Sequence, residues 1–144
     1  MTVHLVKLCV GADDVADLAN WQAARLAENK RLKQPQILVH VTRMTPKRAD
    51  ELLAGGSLYW VMKGAIRCRQ KLVGIEPFTD GEGVGRCRLV LDEEIIATQR
   101  QDRRPFQGWR YLDAKDAPAD VKRGDADDDM PEEMRRELEE LGLL

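Results

Sequence analysis

A glycine-rich turn between two runs of strand-forming residues constrains this fold more than any other feature of the sequence. The turn, residues 79–85 (TDGEGVG), follows a long run over residues 65–75 and precedes a second run over residues 86–91. Glycine lets the chain reverse direction, and both runs are rich in residues that favour strands. The pattern therefore predicts an antiparallel hairpin, and the core must be built on a sheet.

Charged and apolar side chains alternate along both strands of this hairpin. Alternation places one set, Arg67, Arg69 and Lys71, on the face opposite to Ile66, Cys68 and Leu72. A register in which paired residue numbers add to 163 keeps the apolar faces together. This register sets Lys71 opposite Asp92 and Arg69 opposite Glu94. Such cross-strand pairs of opposite charge are typical of a solvent-exposed sheet face. In this scheme no acid is assigned to Arg67, Arg86 or Arg88.

The first third of the chain has the pattern of strand, helix and strand. Short apolar runs at residues 3–9 and 37–42 flank an alanine-rich stretch in which Asp13 or Asp14 can cap the helix. The apolar stripe of this helix is Val15, Leu18, Ala19, Ala23, Leu26 and Ala27. Because helix-connected neighbouring strands run parallel, we expect the two runs to pair, with the helix covering one sheet face.

A second, shorter helix is predicted to begin at Thr45-Pro46 and to end at Gly55-Gly56. An aromatic strand over residues 58–62 follows it, and Gly64 permits a bend into the first hairpin strand.

Charge is divided unevenly along the 144 residues. Residues 1–111 carry 18 Lys and Arg against 13 Asp and Glu, whereas residues 112–144 carry 5 against 12. We therefore expect one globular domain over residues 1–112 and an acidic linker with an amphipathic helical tail over residues 113–144. That tail helix could dock on its own domain, mask a basic groove, or form a homodimer contact through Met134, Leu138 and Leu141.

Composition and the N-terminus indicate a soluble, cytoplasmic protein with no membrane partner. The chain has 33% charged residues, no apolar run of about 18 residues, and no secretory signal at residues 1–7. Three widely spaced cysteines indicate buried thiols rather than a disulfide framework or a zinc site. His4 and His40 lie on candidate neighbouring strands but have no third spaced ligand, so we expect no metal and no cofactor.

Residues 100–111 (RQDRRPFQGWRY) interleave four arginines with three aromatic side chains. Arginine binds phosphates bidentately and aromatic rings stack on bases, so the segment favours RNA, another single-stranded nucleic acid or a nucleotide. The predicted binding residues, which we expect on one concave surface, are Arg67, Arg69, Arg103, Arg104, Trp109 and Arg110. The alternative is structural: the aromatics close a small barrel, and the arginines cap helices or pair with the acidic tail.

A catalytic alternative rests on Lys63 and Glu76. Lys63 follows the aromatic strand beside Gly64, and Glu76 could face it across a curved sheet, which would put a cation and a proton carrier in one cleft. A solvated lysine is the plainer interpretation.

Two blocks, residues 48–70 (RADELLAGGSLYWVMKGAIRCRQ) and 104–112 (RPFQGWRYL), resemble an uncharacterised family of short alphaproteobacterial proteins, catalogued as domain of unknown function fourteen eighty-nine. That resemblance covers most of the chain apart from the acidic tail, and it implies no activity. More distantly, the short helix ending in Gly-Gly, the aromatic strand and the Arg-x-Arg strand resemble the small barrels of the PUA and ASCH superfamily. This second resemblance implies binding of RNA or modified bases or, in a few members, an amidohydrolase that uses a lysine and an acid.

The sequence therefore predicts an α+β fold: a mixed, strongly curved sheet or small PUA-like barrel with one long helix, one short helix and a C-terminal helical tail. The preferred function is a nucleic-acid or nucleotide binding module. The alternatives are a small enzyme acting on a modified base or nucleoside, and a protein-interaction or structural protein.

Overall fold

Strand-forming residues dominate the computed structural model, which describes residues 2–104 and 106–121. The elements in this part of the chain are β1 (Val3–Leu8), α1 (Val15–Arg31), β2 (Leu38–Thr42), α2 (Ala49–Leu53), β3 (Ser57–Met62), β4 (Ala65–Thr79), β5 (Gly85–Leu91), β6 (Ile96–Asp102) and β7 (Trp109–Asp113). A 3-10 turn at Ala114–Asp116 follows. The expected tail helix, its proposed masking role and the proposed dimer contact at Met134, Leu138 and Leu141 lie outside the described residues.

The seven described strands form one mixed sheet in the order β2-β5-β4-β3-β1-β7, with β6 also paired to β4. β1 and β3 run parallel, and the other pairs are antiparallel. The predicted α+β class, with a mixed sheet, one long helix and one short helix, is confirmed. The alternative of a small PUA-like barrel is not what the chain forms, because the sheet does not close on itself.

The expected pairing of β1 with β2 is wrong. β1 lies between β3 and β7, while β2 pairs with β5 near the other end of the sheet. All six residues of β3 are buried, whereas β2 leaves Val41 46% exposed. A strand that is apolar on both faces is typical of the centre of a sheet, and a strand with a solvent-exposed face is typical of an edge. Burial therefore selects β3 as the parallel partner of β1.

The predicted hairpin of β4 and β5 is confirmed, but its register changes along its length. Leu72 pairs with Leu91, and the Asp92 N–H donates to the Lys71 carbonyl at 2.9 Å, as the expected register requires. A bulge at Val73 then shifts the pairing, so that Gly74 lies opposite Val90. A Cβ at Gly74 would lie 3.1 Å from the Val90 side chain, which explains the glycine at this crossing.

The 15-residue β4 changes partner near its middle. Its second half pairs with β5 and its first half with β6, where Arg69 lies opposite Ile96 rather than opposite Glu94. The two successive strands β5 and β6 therefore both pair with β4, each along a different half of it.

The helix α1 covers one face of the sheet, here called the helix face. Asp14 caps it by accepting a 2.7 Å hydrogen bond from the Asp17 N–H, as predicted. Val15 and Leu18 are buried in the larger apolar cluster together with strand residues such as Leu5 and Leu58. Gln22 is the third buried residue of α1, although it lies outside the predicted stripe.

The opposite side of the sheet, here called the open face, has a smaller apolar cluster of Val6, Tyr59, Val61, Ile66 and Leu112. Residues 114–121 leave β7 and cross to the free edge of β6. There the Gln99 N–H donates to Ala119 and the Val121 N–H donates to Ala97. Residues 113–121 thus pack on the domain, while the proposed division of the chain at residue 112 stays a prediction.

Candidate functional site

Three of the predicted arginines converge on one broad depression of the open face. Arg103, Arg104 and Arg110 line it together with Phe106 and Lys115, and its volume is about 1050 Å³. It lies where the end of β6, the loop after it, β7 and the 3-10 turn meet. Four cationic side chains and the Phe106 ring therefore share a surface that is open to a large ligand.

The fold positions Arg103 and Arg110 by different contacts. The Arg103 N–H donates to the Gly64 carbonyl at 2.8 Å, and its guanidinium donates to Gln101 Oε1 at 3.0 and 3.2 Å. The Arg110 guanidinium lies 5.4 Å from the centre of the Phe106 ring. Arg104 is exposed and has no ion-pair partner among the residues that the structure describes. None of the three guanidinium groups forms an ion pair with a carboxylate in the described chain.

The depression is only weakly positive, because three carboxylates, Asp102, Asp113 and Asp116, also line it. Asp102 accepts a 3.3 Å hydrogen bond from Arg100, which neutralises part of its charge. A surface of mixed sign holds one or two phosphates at fixed positions better than it attracts a polyanion from a distance.

Trp109 is separated from these arginines by the sheet itself. Its position on β7 alternates with that of Arg110, and its ring packs against the apolar cluster of the helix face. The Trp109 Nε1–H donates to the Met44 carbonyl at 2.9 Å, and the Tyr111 hydroxyl accepts from the Lys47 and Arg48 N–H groups. The expected convergence therefore does not include Trp109, which anchors the loop before α2.

Arg69 holds the crossing segment to the sheet. Its Nε and one terminal nitrogen donate to the two Asp120 carboxylate oxygens at 2.8 Å, and the other terminal nitrogen donates to Ser57 Oγ at 2.8 Å. The hydrogen bonds to Asp120 raise the pKa of Arg69. The neighbouring His4 accepts from the Ser57 N–H through Nδ1 at 3.0 Å, and burial and the Arg69 charge lower the pKa of His4. Each of the three guanidinium nitrogens of Arg69 therefore donates a hydrogen bond within the protein.

Arg67 lies at an irregular point of the sheet. It is the extra residue between the pairs Trp60–Cys68 and Val61–Ile66, where a bulge interrupts the ladder. It is 9% exposed, and its buried Nε has no hydrogen-bond partner in the described residues. Arg67 and Arg69 do not line the depression.

Lys63 and Glu76, the catalytic candidates, lie in different elements: Lys63 is in the turn before β4, and Glu76 is on β4. Lys63 has φ +49° and Gly64 has φ +80° in the two-residue turn between β3 and β4. Glu76 lies on the second half of β4 and pairs with Arg88. Glu76 follows Ala65 by eleven positions along β4, and a shared cleft of Lys63 and Glu76 stays a prediction.

The two histidines also lie on different faces. His4 contacts Tyr59 on the open face, and His40 contacts Trp60 on the helix face. The placement of the two histidines on neighbouring strands is therefore wrong, because β1 and β2 do not pair. Residues 2–104 and 106–121 contain no group of three His, Cys, Asp or Glu side chains that could hold a metal ion. The helices described there include none that could span a lipid bilayer.

Lys115 was not predicted as a site residue, because it lies in a stretch of the sequence dominated by acids. The 3-10 turn brings it to the depression beside Asp113 and Asp116. A single lysine between two aspartates is a weak sequence signal, and only the path of the chain after β7 shows its position.

Comparison with known proteins identifies a family but no activity. A search of the curated proteins and a search of the solved structures each found no match. A family model matches residues 5–144, a range that includes the sheet and the arginine-rich segment before β7. Because that match covers nearly the whole sequence, the chain belongs to the family described as Protein of unknown function (DUF1489).

Proposed function

We propose that this protein binds single-stranded RNA through the depression of the open face. The observation that carries the proposal is the convergence of Arg103, Arg104 and Arg110 with Phe106 on one open surface. Guanidinium groups bind phosphate oxygens in pairs, and an aromatic ring offers a flat surface to a base. The two chemistries that single-stranded nucleic acid requires therefore lie side by side.

The shape of the depression favours a chain over a small molecule. Small-ligand sites are enclosed and bury most of the ligand, whereas this surface is broad and open. Phe106 is half-buried, with the Arg110 guanidinium near its ring. In the proposal, Arg110 and Phe106 hold one nucleotide, while Arg103, Arg104 and Lys115 bind the adjacent phosphates.

In this proposal, the predicted residues Arg69 and Trp109 support the binding surface from outside it, and Arg67 has no assigned role. Arg69 fixes the segment that forms one wall of the depression, through its two hydrogen bonds to Asp120. Trp109 anchors β7, which carries Arg110. Arg67 touches no described part of the depression and is not assigned to binding.

The test compares two double variants that remove the same charge. We expect Arg103→Ala with Arg104→Ala to weaken binding of fluorescein-labelled oligouridine and to reduce its salt dependence by about one unit of slope for each phosphate that the variant no longer neutralises. Arg25→Ala with Arg31→Ala, on α1 at the opposite face, is the matched control and should change binding little. Fluorescence anisotropy over a series of salt concentrations measures both effects.

Two outcomes would contradict the proposal. The first is equal loss of binding in the two double variants, which would indicate non-specific attraction. The second is absence of binding by the unmodified protein to RNA and to single-stranded DNA at low salt, which would favour a protein-interaction role.

A further inference from the structure

A second, more enclosed pocket lies on the helix face, away from the arginine depression. It has a volume of about 260 Å³ and forms where the loop after β1, the first half of α1 and β2 meet above Trp60. Its walls are mainly apolar and include Cys9, Leu18, Trp21 and Trp60. A pocket of this size and lining suits one small aromatic molecule rather than a chain.

Most polar groups at the base of this pocket are already hydrogen-bonded to each other. The side-chain amides of Gln22 and Gln70 exchange two hydrogen bonds of 2.8 Å. The Trp60 Nε1–H donates to Gln70 Oε1 at 2.9 Å. These contacts fix the tryptophan ring and leave the amides little capacity for a ligand.

His40 is the polar side chain of the wall that still has hydrogen-bonding capacity. Its ring meets Trp60 edge-on at 5.1 Å, and its buried Nε2 has no hydrogen-bond partner within the described residues. Burial and the nearby Lys7 lower the pKa of His40 to about 4, so the imidazole is neutral near pH 7. Buried polar atoms are normally paired, so an unpaired one beside a pocket points to a missing partner.

The mouth of the pocket combines exposed apolar surface with a positive charge. Trp21 is 53% exposed and Val10 is 84% exposed. The Arg25 guanidinium lies 4.8 Å from the centre of the Trp21 ring, and no Asp or Glu is among the described lining residues. An anionic group at the mouth would therefore meet a cation without an opposing carboxylate.

From this geometry we infer a binding site for a small planar aromatic carboxylate. The ring of the ligand enters between Trp21 and Trp60, its carboxylate faces Arg25, and a ring heteroatom reaches His40. The site is independent of the proposed RNA surface, because α1 and the sheet separate the two.

Indole-3-carboxylate and its neutral analogue indole are the probes that test this site. Binding is measured by amide chemical shifts of the ¹⁵N-labelled protein during titration. We expect indole-3-carboxylate to shift the amides around Trp21 and His40. Arg25→Gln should weaken its affinity about fivefold and leave that of indole unchanged, because only the carboxylate meets the guanidinium.

Arg31→Gln removes the same charge further along α1 and is the control for general electrostatics. It should leave both affinities unchanged, and Arg25→Gln should leave oligouridine binding unchanged. Equal weakening by Arg25→Gln and Arg31→Gln, or probe shifts confined to other parts of the protein, would overturn the inference. If the unmodified protein binds indole-3-carboxylate as expected but does not bind oligouridine, the RNA proposal is contradicted and the inference of an aromatic carboxylate site is not.

Discussion

The two faces of the sheet are stabilised in different ways. Among the residues that the structure describes, fifteen buried residues of the helix face form one apolar cluster that includes residues of α1 and α2. On the open face, the apolar cluster has five buried residues, and the crossing segment is held by Arg69, Asp120 and a short ladder to β6. Stability on the first face therefore depends on packing, and on the second it depends largely on polar contacts.

This difference has a consequence for where binding can evolve. Cations on a packed apolar face would be buried without partners, at a large desolvation penalty. The open face already exposes polar groups, so arginines can accumulate there with little effect on stability. The cationic depression and the smaller apolar cluster lie together for this reason.

The largest expected effect is on packing in the helix face. Leu58→Ala removes three carbons from a fully buried position and should lower the free energy of unfolding by about 2–5 kcal/mol. Ile66→Ala is the matched change in the smaller cluster, and we expect it to have a smaller effect because fewer apolar neighbours surround it. Urea denaturation measures both, and equal losses would break the comparison of the two faces.

An intermediate effect is expected at the ion pair of the open face. Asp120→Asn removes the charged acceptor of Arg69, whose side chain is 21% exposed, and should lower the free energy of unfolding by about 1–2 kcal/mol. Solvent screening limits the loss, because the Asp120 side chain is 40% exposed.

The exposed pair of Glu28 and Arg31 on α1 provides a control, and Glu28→Gln should change stability much less than Asp120→Asn, because solvent screens the exposed pair. A double-mutant cycle of Asp120→Asn with Arg69→Met isolates the pairwise contribution. If Asp120→Asn and Glu28→Gln have equal effects, the crossing segment is held by something other than this ion pair.

The smallest expected effect is a pH dependence to which each face contributes one histidine. Burial lowers the pKa of His40 to about 4 on the helix face and lowers the pKa of His4 on the open face. The unfolded chain binds a proton near pH 6.5 and the folded protein does not. Stability is therefore full above about pH 6.5 and falls as the pH decreases toward the folded pKa, by at most about 1.4 kcal/mol per pH unit for each group.

We expect His40 to contribute about 1 kcal/mol of this loss between about pH 6.5 and pH 5.5. Denaturation of His40→Gln at the two pH values should show a smaller difference than in the unmodified protein, and His4→Gln a lesser reduction. An unchanged pH dependence in both variants would show that neither histidine is buried in its neutral form.

Local features of the fold could be predicted from the sequence. The Asp14 cap, the β4–β5 hairpin and the pairing of Leu72 with Leu91 depend on short-range chemistry, namely capping oxygens, turn glycines and alternation. The change of register at Val73 could not be predicted, because a bulge depends on how β4 meets a second partner. Alternation fixes the face of a side chain but not the neighbour of its strand.

The candidate site shows the same limit. Arg103, Arg104 and Arg110 are close in sequence, and their grouping followed from composition alone. The partners of Arg69 and Trp109 could not be identified, because Asp120 is 51 positions from Arg69 and Met44 is 65 positions from Trp109. Contacts over such separations depend on the sheet order, which the pattern of a single chain does not specify.

The parallel pairing of β1 with β3 also determines the order in which the chain can assemble. The hairpin of β3 and β4 closes through a two-residue turn, so it can form early with little loss of loop entropy. β1 leaves the ribosome before β3, and its other neighbour, β7, pairs Asp113 with Val3 near the end of the described chain. During synthesis, both edges of the apolar β1 therefore stay unpaired until β3 and β7 have been made. Unpaired strand edges favour association with other chains, so β1 is exposed to misassociation during this time.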